Sequence, residues 1–115
     1  MRRVSKKRAA QQEEYADWML TVFNRDRRCK APGCRSGSGL QAHHVYPKGT
    51  YPDLRLVPDN GLTLCRDCHS KWHAASRLHM EWWQRTYPAR ADFIKSLLDG
   101  KRVSADIEGA SDGRG

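Results

Sequence analysis

The chain has 115 residues, a formal charge of +8 and 21 Lys and Arg against 13 Asp and Glu; its size suits a single domain and its charge suits a polyanionic partner, nucleic acid first. No apolar run approaches the roughly 20 residues of a membrane span, and "MRRVSKKR" leads into "AAQQEEYADW" instead of an apolar stretch, so neither an anchor nor a signal peptide is read and a reducing cytoplasm is expected. In that compartment four cysteines read as metal ligands in preference to disulfides, and a metal staple suits a domain too small to bury a large core.

From Ala9 to about Arg25, Tyr15, Trp18, Met19, Val22 and Phe23 recur at i, i+3, i+4, i+7 and i+8, which predicts a helix with one buried face. "RRCKAPGCRSGSG" follows as a loop, with Cys29 and Cys34 on either side of a tight turn. "LQAHHV" and "GLTLC" have the composition of two short strands, and the three prolines of "YPKGTYPDLRLVPDN" mark the stretch between them as a long loop. A helix is predicted from an N-cap at Asp67 through "CHSKWHAASRLHMEWWQR" until "TYP" interrupts it. A last helix is expected from Ala89 to Asp99, ending at Gly100, with Phe93, Ile94, Leu97 and Leu98 facing inward. The remaining residues, 101–115, lack periodicity and read as a disordered tail. Trp72, Trp82 and Trp83, at helical spacing, read as core before base-stacking platforms.

Cys29 and Cys34 flank "KAPG", and Cys65 and Cys68 flank "RD". Paired knuckles of this kind surround one tetrahedral Zn²⁺ with four thiolates, a closed and therefore structural site. The histidines that follow need a separate account. On a helix His69 and His73 lie about 40° apart, whereas Cys68 points about 100° and 140° away from them. The stretch "CRDCHSKWH" therefore divides between two centres, thiolates on one side and imidazoles on the other, unless the imidazoles are ordinary exposed helix residues. Two rivals fit less well. "CRDCH" matches the haem-attachment signature but leaves Cys29 and Cys34 without a use, and a two-Cys, two-His finger needs a spacer of about twelve residues that is missing here. Upstream, His43 and His44 are neighbours on a strand, so their side chains face opposite ways. Asn60 sits in a Pro-Asp-Asn-Gly turn, where its amide can bond backbone groups.

His43-His44, Asn60, and His69 with His73, interleaved with the cysteine knuckles, resemble the HNH nuclease family, chiefly in "LQAHHV" and "NGLTLCRDCHSKWH". The resemblance covers about Cys29 to His73. It implies an α+β fold: a small ββα-metal core, stapled by zinc, with flanking N- and C-terminal helices. The expected organisation is a basic arm over 1–8, one nuclease domain over 9–100 with its core at 29–80, and the tail. It implies that His44 is the general base, that His43, His69 and His73 hold the catalytic ion, and that Asn60 holds the loop that orients the base. The implied reaction is metal-dependent hydrolysis of DNA to 5′-phosphate and 3′-hydroxyl ends. The alternative is a zinc-stapled DNA-binding or adaptor module without catalysis.

An all-histidine set favours Zn²⁺, Ni²⁺ or Mn²⁺, with Mg²⁺ able to support turnover. The expected partner is DNA, bound by a monomer or homodimer. Small members of the family occur in phages and prophages, some beside a terminase, which would place such a chain in the host cytoplasm. Arg2, Arg3, Lys6, Lys7 and Arg8, with Lys48, Arg55, Arg66 and Lys71 near the site, are the candidate phosphate contacts.

Overall fold

The computed structural model describes the backbone of residues 6–110 and the side chains of residues 6–100. Four α-helices and two strands follow in chain order: helix α1 (Lys6–Asp26), strands β1 (Leu40–His44) and β2 (Gly61–Cys65), with two short 3-10 turns between them (Pro52–Leu54 and Pro58–Asn60), and helices α2 (Arg66–Ala74), α3 (Ser76–Thr86) and α4 (Pro88–Ala110). The class is α+β, as the sequence predicts. The strands form an antiparallel pair in which His43 opposes Leu62 and His44 opposes Gly61.

Strand alternation decides what each face meets. Gln41 and His43 project toward α2, where His43 lies against His69, Trp72 and His73. His44 projects the other way, onto Tyr15 and Trp18 of α1. The sheet is thus held between α1 and α2. On the α1 side, Gly61 is the strand residue over which the helix passes. A Cβ there would run into Val22 and would lie 2.9 Å from the Trp18 ring, so only glycine permits this approach. Trp18, Val22, Leu54, Leu62, Leu64, Trp72, Trp83 and Ile94 are buried, and every residue of β2 is buried. The outer edge of β2 is closed without a third strand. Asp26 accepts the Thr63 amide at 2.9 Å, and the Lys30 amide bonds the Thr63 carbonyl at 2.9 Å. Arg25 chelates the Asp26 carboxylate at 2.7 and 3.0 Å and donates to the carbonyls of Pro58 and Gly61, so the charge of a nearly buried aspartate is matched.

Five details differ from the sequence expectations. The first helix begins at Lys6, taking in Lys6, Lys7 and Arg8 of the expected basic arm, because Lys, Arg and Ala all favour helix; Arg2 and Arg3 lie outside the described residues. The helix after β2 takes Cys65, not Asp67, as its N-cap, since the strand runs directly into it. It then breaks at Ala75 (φ −143°, ψ 54°) and restarts as α3. One continuous helix would hold Trp72 and Trp82 about 15 Å apart along its axis, whereas the bend brings their ring centroids to 6.4 Å. Finally, α4 runs through Gly100 to Ala110 instead of stopping at Gly100. A glycine in a helix costs only about 1 kcal/mol, and helix-forming neighbours carry the backbone past it. The expected disordered tail is thus helical backbone as far as Ala110, and 111–115 lie outside the described residues. Ile94 and Leu98 of α4 turn toward the core, but Phe93 and Leu97 are 47% and 38% exposed, because a helix on the surface can bury only one stripe. Among the described residues, no helix is long and apolar enough to cross a membrane.

Candidate functional site

Two clusters of metal-binding side chains flank the start of α2. Cys29 and Cys34, from the loop after α1, meet Cys65 and Cys68, and the four sulfurs lie within 4.8 Å of one another. The Cys34 and Cys65 sulfurs are 4.0 Å apart, close to the separation of about 3.8 Å that tetrahedral Zn–S bonds of about 2.3 Å impose. The backbone amide of Cys68 brings the Cys65 thiol down to about 7, while burial pushes Cys29 and Cys68 up. Ionising all four thiols therefore calls for a cation among them. The four cysteines are positioned to bind a metal ion.

The second cluster joins β1 to α2. His43, His69 and His73 each offer a ring nitrogen within 4.8 Å of the other two. His69 and His73 occupy successive turns of α2 and bring their Nε2 atoms to 3.1 Å. His43 reaches them from the strand: its ring is nearly buried, and its Nε2 has no hydrogen-bond partner. Burial, reinforced by the neighbouring imidazoles, pushes His43 down to about 3, and burial also lowers His69. The His43 ring is therefore neutral near pH 7, the state in which imidazole ligates metal. Gln41 bonds His69 Nδ1 through its side-chain oxygen. A carbonyl oxygen accepts only, so Nδ1 carries the proton and Nε2 is left as the lone pair that faces His73. Three converging lone pairs, one of them orphaned in a buried position, fit a divalent cation.

His44 stands on the opposite face of the same strand, yet it lines the same cleft of about 700 Å³ as His43, His69 and His73. Its Nε2 lies 2.9 Å from the Arg55 carbonyl and so donates to it, which leaves Nδ1 as the free basic nitrogen. Its ring is stacked on Trp18 with centroids 4.2 Å apart and planes 7° apart. Burial lowers its pKa, the Arg55 carbonyl partly restores it, and Lys48 lowers it further. Asn60 is fully buried at the base of the loop between the strands. Its amide nitrogen donates to the carbonyls of Tyr46 and Leu54, and its oxygen accepts the Tyr46 amide at 2.7 Å. Leu54 precedes Arg55, whose carbonyl holds His44, so Asn60 fixes the backbone that fixes the ring.

All nine candidate residues are accounted for: four cysteines in one cluster, three histidines in the other, His44 across the cleft, and Asn60 beneath the loop. Of the candidate phosphate contacts, Lys48 lines the cleft and sits over the Tyr15 ring at 5.5 Å, while Lys71 lies beside the cysteines. Several residues were missed by sequence reasoning. Gln41 was legible, since it lies two places before His43 and so shares its strand face. Trp18 was read as packing first and partner surface second, because a hydrophobic stripe does not say what it packs against. Arg77, which also lines the cleft, carried no signal, because the bend at Ala75 that positions it had none.

Residues 27–75 match the family model of the HNH endonucleases. No curated protein and no solved structure matches the chain. The matched segment spans the first knuckle, both strands and α2, and so contains both clusters, His44 and Asn60. Residues 27–75 are thus similar to the HNH endonucleases, and the four clustered cysteines within that segment fit a zinc-binding member of the family.

Proposed function

We propose that the chain is a metal-dependent DNA endonuclease. The observation that carries this reading is the convergence of His43, His69 and His73 in the cleft that His44 also lines. A divalent cation held by the three imidazoles would supply positive charge beside a phosphate, offsetting the negative charge that grows as the diester is attacked. Mg²⁺, Mn²⁺, Ni²⁺ and Zn²⁺ are the candidates. The four cysteines hold a structural Zn²⁺ that takes no part in the reaction.

The chain's own residues do the rest. His44 Nδ1 accepts the proton of a water molecule as its oxygen attacks phosphorus. The bond from phosphorus to the 3′ oxygen breaks, leaving a 5′-phosphate, and the departing oxygen takes a proton from solvent to become a 3′-hydroxyl. Proton transfer leaves an imidazolium whose Nε2–H still donates to Arg55, so the ring keeps its orientation throughout. Asn60 maintains that acceptor. Lys48 and Arg77, on the walls of the cleft, attract the phosphodiester without reading its bases. One such site cuts one strand.

Supercoiled plasmid incubated with the chain in Mg²⁺, Mn²⁺, Ni²⁺ or Zn²⁺ should yield nicked or linear product, and none in EDTA. His44→Ala should lower the rate at least 100-fold while metal binding by titration calorimetry stays unchanged. Failure to cut in every metal, or an unimpaired variant, sinks the proposal and favours the non-catalytic adaptor.

A further inference from the structure

A second cleft, of about 620 Å³, opens between the loop that follows α1 and the end of α3, and it shares no lining residue with the histidine cleft. Four cations line it: Arg27, Arg28, Lys30 and Arg35. Its one acid, Asp26, is already occupied by Arg25 and the Thr63 amide. Among the described residues, none of Arg27, Arg28, Lys30 and Arg35 forms an ion pair with an acidic side chain. Gathering four like charges around one concavity opposes folding, and a bound polyanion relieves the repulsion.

Arg27 strengthens this reading. It ends α1 in the left-handed region at φ +70°, where its amide bonds the Phe23 carbonyl at 2.7 Å. Glycine is the default residue at such a helix end, and an arginine there pays a backbone penalty of about 1 kcal/mol. The side chain that occupies this costly position is an exposed cation that lines the cleft and donates from its Nε to the Asn24 carbonyl at 3.1 Å. The facing wall is Trp82 with Tyr87, half-buried rings whose centroids are 6.0 Å apart in an edge-to-face pair, an apolar surface suited to the deoxyribose between phosphates.

We infer that this cleft is a second DNA-binding site, which holds the sugar–phosphate backbone of the duplex flanking the cut. The inference rests on the nuclease reading for the identity of the polyanion. It assigns affinity for long DNA to residues with no part in the chemistry.

The test uses the full chain carrying His44→Ala, with fluorescence anisotropy on 10-bp and 30-bp duplexes across a salt series and without added divalent cation. Adding Lys30→Gln and Arg35→Gln should weaken binding of the 30-bp duplex about tenfold at low salt. The slope of log K against log salt should fall by about 0.9 for each phosphate that is no longer neutralised, while binding of the 10-bp duplex changes less than twofold. Arg27→Gly, introduced alone, should weaken long-duplex binding yet leave Tm equal or higher, a combination that damage to the fold cannot produce. Unchanged affinity and slope for the 30-bp duplex in both variants overturns the inference while leaving the nuclease reading intact. A parent chain that neither binds nor cuts any duplex overturns both.

Discussion

His43 and His44 are chemically the same residue, one bond apart along the chain, and their surroundings give them different work. His43 is packed among rings with an unpartnered nitrogen, while His44 is pinned by a carbonyl and laid flat on Trp18. Strand alternation made the opposite orientations legible from sequence; the partners were not, because they come from α1, α2 and the loop. Trp18 is the least expected of these. It holds one face of the His44 ring, is itself fixed by a 2.9 Å bond from its Nε1 to the Val57 carbonyl, and precedes the matched segment. Trp18→Phe should keep most activity. Trp18→Leu should lower kcat about tenfold or more with little change in KM, because an unstacked ring samples unproductive orientations. Burial is the main cause of the lowered His44 pKa, so exposing the ring should return that pKa toward 6.5. A base acts when neutral, so the acid limb of kcat/KM against pH should move to higher pH in Trp18→Leu. An unmoved limb would argue against Trp18 as the residue that orients His44.

At the scale of elements, the first helix announced itself by period and the two strands by composition, and the cysteine and histidine spacings announced the start of α2. The division of α2 from α3 did not, since neither Gly nor Pro stands at Ala75. The bend exists because Trp72 and Trp83 find a common core with Leu54, Leu62 and Ile94, a tertiary gain that local propensity cannot register. The end of α4 was misread for the converse reason: a glycine was taken as a stop where the helix could absorb it. Gly61 shows the stricter case. It opposes His44 in the sheet and admits α1 over β2, so Gly61→Ala should force helix and strand apart. We expect a loss of about 1–3 kcal/mol in urea unfolding, the usual cost of overpacking, together with reduced nicking, since Trp18 would shift from the ring it supports. Gly100→Ala, in an exposed stretch where a Cβ meets nothing within 4 Å, should instead be neutral or slightly stabilising.

In the whole molecule, the core is small and the cysteine cluster joins its ends, linking the loop after α1 to the first turn of α2. The cluster was the part of the site most legible from sequence, because two knuckles have few other uses in a reducing compartment. The histidine centre was less so, since its third member comes from a strand 26 residues before His69. The two centres should separate under chelation. Mild chelator should abolish cleavage while metal analysis still finds about one zinc per chain and Tm changes little. Cys65→Ser, or a chelator strong enough to strip that zinc, should lower Tm by more than 10 °C or unfold the chain, since metal binding here is coupled to folding. Removal of all metal without loss of stability would refute the structural assignment of the cysteines.

Cys68 and His69 are consecutive residues that belong to different clusters, and on the proposed reading this adjacency makes one centre depend on the other. A nine-residue helix such as α2 has little tendency to persist alone in water. His69 and His73 come within reach of each other only once that helix exists, and its first turn is held by Cys65 and Cys68. On the proposed reading, zinc at the cysteines therefore comes before the ion at the histidines, and chain refolded without zinc should gain neither a stable α2 nor nicking activity when Mg²⁺ or Mn²⁺ is added.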